Sequence, residues 1–149
     1  MDNLFFTEEH IMIRDMVREF ADSDIVPVAR TLDETGEFPK DLVEKMSELG
    51  LMGIIVPERY GGAGLDMVAF ATAIMELGRA DASVAITMAA HTSLGTLPLL
   101  LFGNEDQKNM YLPKLASGET LGAFGLTEPD AGSDAGATKT KAVRNGDGY

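Results

Sequence analysis

Cysteine is absent from this chain, which excludes disulfides, thiolate nucleophiles and cysteine–zinc sites together and suits a reducing compartment. Histidine occurs only at His10 and His91. Neither has a glutamate three residues before it, so the Glu-x-x-His pairs of a metal-binding helical bundle are missing and no metal is expected. Basic residues are scarce: 12 Lys and Arg stand against 24 Asp and Glu, a net charge of −12 and a pI near 4.4. Such a surface repels phosphate backbones, so nucleic-acid binding is not expected. Residues 1–60 hold 14 of the acidic groups, and solvated helix faces account for them. The opening Met1 to Phe6 lacks a basic n-region, and no Arg-rich transit sequence precedes the first amphipathic stretch. A cytoplasmic location is the expectation.

The 149 residues are 45% hydrophobic and 24% charged, the balance of a globule. At 15.9 kDa, surface scaling gives roughly 23,000 Å² unfolded and about 7,400 Å² folded, enough burial for a core. One run, Ala82 to Phe102, is long enough to span a membrane. Its His91, Thr92, Ser93 and Thr96, the interruption at Pro98 and the missing basic flank make it instead a buried helix of a bundle, not a membrane span.

Five helices are expected. Thr7 is an N-cap followed by Glu8 and Glu9, and Ile13, Met16, Val17, Phe20 and Ala21 form one apolar stripe. Pro27 should kink or end this helix. Lys40 to Leu49 is the second, with Leu42, Met46 and Leu49 inward and Gly50 as its stop. After the turn Tyr60-Gly61-Gly62-Ala63-Gly64, read as structural, the third runs from about Asp66 to Arg79. The fourth runs from Ala82 to near Gly103. The fifth starts at Asn104, is broken at Pro113 and finishes at Gly118. The pattern then changes. Leu121 to Leu126 reads as a buried strand and Thr138 to Arg144 as a half-exposed one, with Asn145-Gly146-Asp147-Gly148 as a hairpin turn. A hairpin turn with no return strand reads as the N-terminal piece of a longer protein: a helical domain at 1–120, then the truncated start of a β domain at 121–149. A frayed natural C-terminus is the alternative.

The chemistry concentrates in Gly125-Leu126-Thr127-Glu128-Pro129-Asp130-Ala131-Gly132-Ser133-Asp134-Ala135-Gly136-Ala137. Gly122, Gly125 and Gly132 permit close approach of a flat or phosphorylated ligand, and Thr127 and Ser133 offer hydroxyls. An ordinary strand-to-loop junction would have the same composition.

This segment resembles the first signature of the acyl-CoA dehydrogenases, the pattern small–aliphatic–Ser/Thr–Glu–x–x–small–Gly–Ser/Thr–Asp–x–x–small, at all thirteen positions. "FTEEHIMIRDMVREFADSDIVPVA" (6–29), "PERYGGAGLD" (57–66) and "AAHTSLGTLPLLLFGNEDQKNMYLPKLASGE" (89–119) resemble the family's helical domain in order and spacing. "AHTSL" and the lack of a presequence look closest to bacterial short-chain, butyryl-CoA-type members. The resemblance implies a mainly α chain: the N-terminal helical bundle of that fold, then the opening of its middle β domain. It implies FAD, with Phe124, Leu126 and Thr127 facing the flavin and Ser133 where the FAD pyrophosphate and the CoA come close. The activity implied is α,β-dehydrogenation of acyl-CoA thioesters, with an electron-transferring flavoprotein as partner and a homotetramer as assembly. The catalytic glutamate belongs to the family's C-terminal domain, so no catalytic residue is expected here. Glu128 is read as a loop carboxylate in a structural hydrogen bond. Thr87, Ala90 and Leu94 share one face of the fourth helix, which in the family lines the acyl chain; plain core packing stays open for them. His91 is read as a satisfied buried histidine. A non-catalytic helical module that binds or oligomerises, its motifs inherited, is the competing hypothesis.

Overall fold

The computed structural model describes residues 6–148; Met1 to Phe5 and Tyr149 lie outside the described residues. The first helix segment, α1 (Glu8–Phe20), is capped by Thr7, whose hydroxyl accepts from the His10 amide while the Thr7 amide donates to His10 Nδ1. Sequence periodicity puts Val17, Phe20 and Ala21 in the core, with Ile13 and Met16 half-buried. Pro27 does not end this rod. A π turn, Ala21–Ile25, leads directly into α2 (Val26–Thr35), and Pro27 falls in the first turn of α2. There it ends the π ladder, whose last bond runs from Val26 N–H to the Ala21 carbonyl, at a first-turn position where proline is best tolerated.

The segment α3 (Lys40–Glu48) buries Leu42, Val43 and Met46, while Leu49, expected inward, is exposed. Gly50 ends it at φ 74°, where a side chain would be strained. The chain then turns through Leu51–Gly53 and Glu58–Tyr60 without forming strand. Gly62 packs so closely that a Cβ there would lie 2.1 Å from the Val56 carbonyl oxygen. The amides of Ala63, Gly64 and Leu65 donate to Gly53, Val56 and Ile54. The glycine-rich turn is therefore structural, as its composition suggests.

The segment α4 (Met67–Ala80) is capped by Asp66, which also receives His10 Nε2 at 3.0 Å and so ties its start to α1. Ala82–Ala90 (α5), a second π turn (His91–Thr96) and α6 (Leu97–Phe102) form one continuous rod, with Pro98 in the first turn of α6. This rod is long and apolar enough to cross a membrane. Here α5 packs on α4 and the π turn on the 51–53 turn, burying Val84, Ala85, Met88, His91, Thr92 and Thr96. The last segment, α7 (Glu105–Ala116), starts on the Asn104–Gln107 capping box. It runs through Pro113 instead of breaking there, and Ser117 N donates to the Pro113 carbonyl. Burial of Leu112, Leu115 and Ala116 offsets the interior proline, which costs about 3 kcal/mol.

The main core joins α1, the first π turn, α3, the 51–54 turn, α4 and α5. Arg18 clamps Glu76 through two bonds of 2.6 and 3.0 Å, and Arg79 bridges Glu76 and Asp22, fixing that π turn to α4. Residues 121–148 depart from the reading as strands. Among the described residues there is no strand, only isolated bridges Glu128↔Ala131 and Asn145↔Gly148. The hairpin turn itself forms, with Gly146 at φ 63°. Leu121 and Leu126 are exposed, not buried. An extended segment satisfies its amides only against a neighbouring strand, and none lies beside it here.

Candidate functional site

The signature segment leaves the helical body at one contact. Gly122 donates its amide to Nδ1 of buried His91 at 2.9 Å, and its backbone meets Gly95 so closely that a Cβ on Gly95 would lie 2.5 Å from Gly122 Cα. Beyond this contact, Phe124 (55% exposed), Leu126 (43%), Thr127 and Ser133 stand in solvent. A tight turn follows: Glu128 N–H donates to the Ala131 carbonyl at 2.9 Å, and Ala131 N–H returns the bond. Ala131 is the one buried residue the burial pattern gives between 121 and 148.

Glu128 is tied up. Its two carboxylate oxygens accept from the amides of Lys139 at 2.8 Å and Thr140 at 3.0 Å. These bonds, that from Lys139 foremost, hold its pKa below the ordinary glutamate range. A carboxylate so stabilised is a poor proton acceptor and a good loop staple, which agrees with the reading of Glu128 as structural. Asp130 pairs with Lys139 across the same loop at 3.2 Å.

The fit to a flat cofactor can be tested on the glycines. Gly122 is demanded by the protein itself, through Gly95. At Gly125 and Gly132 a Cβ would meet nothing within 4 Å, so nothing inside the chain requires glycine there. Backbone left bare toward open space, beside an aromatic face, an aliphatic side chain and two hydroxyls, suits a planar group with polar edges.

Thr87, Ala90 and Leu94 are not in a buried helix face. Thr87 and Ala90 are half-buried and Leu94 is 47% exposed, because the rod packs Val84, Met88 and His91 inward and leaves these three uncovered. Met88 on the same rod is core, whereas Leu97 is half-buried. Thr87 returns its hydroxyl proton to the Ser83 carbonyl and borders a cleft of about 390 Å³ with Phe38 and Ile86. Leu94 adjoins Gly95, so one end of this face reaches the place where Gly122 docks.

His91 is 1% exposed and satisfied at both ring nitrogens: Nε2 donates to the Met52 carbonyl at 3.1 Å while Nδ1 accepts from Gly122. Burial pushes its pKa below the usual histidine value. The expectation of a satisfied buried histidine holds. Its link to Gly122 was not legible in sequence; the one trace of it is Gly95, a glycine kept inside a helix at some cost, whose bare backbone permits the close approach.

The family profile described as acyl-CoA dehydrogenase, N-terminal domain, matches residues 7–119. A probable acyl-CoA dehydrogenase of Bacillus subtilis is 54% identical over 147 residues, 99% of this chain and 39% of that protein. The structure of butyryl-CoA dehydrogenase from Megasphaera elsdenii superposes with a TM-score of 0.91 at 36% identity, covering 97% of this chain and 39% of the other. An acyl-CoA dehydrogenase from Bacillus anthracis complexed with FAD gives 0.86 at 46% identity, over 93% of this chain and 24% of the other. The chain thus spans well under half the length of these relatives. The profile match covers the helical rods from the Thr7 cap to the end of α7, and on that ground this chain belongs to the acyl-CoA dehydrogenase family, within that family's N-terminal domain.

Proposed function

We propose that this chain is the N-terminal part of an FAD-dependent enzyme that dehydrogenates short-chain acyl-CoA thioesters between Cα and Cβ. The observation that carries the reading is the thirteen-residue signature, Gly125 to Ala137, presented in solvent with its glutamate tied into its own loop and its hydroxyls outward. The FAD-bound relative from Bacillus anthracis and the butyryl-CoA dehydrogenase likeness support the cofactor and the substrate class.

FAD, when bound, supplies the acceptor for the β-hydrogen as hydride. Phe124 and Leu126 give that ring an apolar wall, and the Thr127 hydroxyl hydrogen-bonds its polar edge. Ser133 serves where the pyrophosphate of FAD and the CoA part of the substrate come close. Thr87, Ala90 and Leu94 line the acyl chain. Hydrogen bonds to the thioester carbonyl lower the pKa of the α-proton, which a carboxylate then removes. Glu128 is not that carboxylate, and the base lies outside these 149 residues. Residues 1–120 form the helical domain and 121–149 open the β domain. The assembly is a homotetramer that delivers electrons to an electron-transferring flavoprotein, and these residues alone do not turn over.

The test is the visible spectrum of a protein that carries this sequence in full length, with and without butyryl-CoA. Flavin bands that bleach with substrate are expected. A colourless protein that also refuses added FAD overturns the reading.

A further inference from the structure

His91 is the least exposed titratable side chain among the described residues, and the proposed chemistry gives it no task. Its ring joins three separate parts of the chain. It opens the second π turn, donates from Nε2 to Met52 in the 51–53 turn, and accepts at Nδ1 from Gly122. The Thr96 hydroxyl closes over it by donating to the His91 carbonyl at 2.9 Å. Met52 offers a carbonyl, which only accepts, and Gly122 an N–H, which only donates. A neutral imidazole with its proton on Nε2 satisfies both from one rigid ring. One turn further on, the bare backbones of Gly95 and Gly122 touch. Beyond Gly122 the next buried residue is Ala131, so Phe124 to Thr127 take their direction from this one docking point.

We propose that His91 is a positioning residue for the flavin-facing segment, setting through Gly122 where Phe124, Leu126 and Thr127 leave the helical body. The word flavin here rests on the function proposed above; the docking does not. A protonated ring carries hydrogen on both nitrogens, so an N–H would face the Gly122 N–H and the segment would be released. Burial, opposed in part by the Met52 and Leu115 backbone, keeps the ring's pKa below the ordinary histidine range, and no charged side chain contributes to that shift. The groups facing the ring from the 51–53 turn, α7, the π turn and the 121–123 segment are the backbones of Met52, Leu115 and Gly122 and the Thr96 hydroxyl. Docking is therefore complete at neutral pH and is lost as pH falls through that lowered value.

The chain has no tryptophan, so Phe124→Trp places a single indole reporter in the segment. In that background His91→Asn keeps an acceptor near the Nδ1 position but does not titrate, while His91→Leu keeps apolar volume and no acceptor. Amide exchange of Gly122, referenced to Val84 and Met88, and anisotropy of the indole are followed from pH 8 to 4. His91→Leu is expected to speed Gly122 exchange about tenfold against the reference amides and to free the indole; His91→Asn stays within about threefold. Acidification should loosen Gly122 in the parent chain and not in His91→Asn. Equal Gly122 exchange in parent and His91→Leu, or uniform loss of all amides, overturns the proposal. Acid loosening that survives in His91→Asn also overturns it, and this comparison decides alone if His91→Leu does not fold. Neither readout uses flavin, so failure of the FAD reading and failure of this one are separately visible.

Discussion

The rods between residues 7 and 116 and the segment 121–148 are built from similar side chains and end in opposite states. The rods close their backbone hydrogen bonds within themselves and need only bury a stripe, so they assemble a core around Met52, Leu77 and Met88. The segment holds Leu121, Phe124, Leu126 and Val143, all exposed. Its extended backbone can be satisfied only by a neighbour, and apart from the Gly122–His91 bond it is held only locally, by two short bridges, the turn at Ala135–Ala137 and the Glu128 staple. Local hydrogen bonding makes the rods self-sufficient, whereas non-local pairing makes the segment depend on what lies beside it.

The largest break in this comparison comes from the core. Leu77 is fully buried, and Leu77→Ala should destabilise the rods by about 2–5 kcal/mol in urea unfolding followed by circular dichroism. A loss under about 1 kcal/mol would mean that the rods do not depend on this core. A smaller, pH-dependent effect resides in Glu76, whose carboxylate is held below its ordinary pKa chiefly by the Arg18 hydrogen bonds. Its contribution is complete above about pH 4.3, the usual glutamate value, and is lost as pH falls through the lowered folded value. Urea midpoints between pH 6 and 2.5 should drop less steeply for Glu76→Gln than for the parent chain. Parallel curves would remove Glu76 from the acid response. The smallest effect belongs to the segment: Thr127→Val should leave unfolding of the rods unchanged within about 0.5 kcal/mol. In a full-length protein carrying this sequence it should weaken FAD retention. A large loss of rod stability would show that the two regions are coupled.

Features decided within one turn of chain were legible in sequence. The Thr7 and Asn104 caps and the stop at Gly50 each depend on neighbouring amides or on a single positive φ. Pro27 and Pro98 misled, because a proline in an apolar run reads as an interruption. Each instead follows a π turn, which restarts the α pattern so that the proline occupies a first-turn position. The strand at 121–126 was read from a short apolar run and that at 138–144 from alternation; both report suitability for a sheet and not the presence of one. For the candidate site, the signature residues were legible as a string. The junction that aims them was not, since His91 and Gly122 lie 31 positions apart. The openness of the face bearing Thr87, Ala90 and Leu94 depends on which side α4 covers, and no local pattern states that.

The second π turn has a consequence for how this sequence tolerates insertion and deletion. A π turn holds one residue more than an α-helix would in the same place. Deleting a residue within His91–Thr96 would let the rod relax to a regular helix, so length change there need not break it. Orientation would also survive, because the wide turn takes up the rotation of its extra residue before α6 begins. A deletion in the regular part of α5 has no such slack: one residue is about 100° of helical rotation, and everything beyond it would swing around the axis and carry Gly95 away from Gly122. Alignment gaps in this rod should therefore collect at His91–Thr96 and be rare in α5.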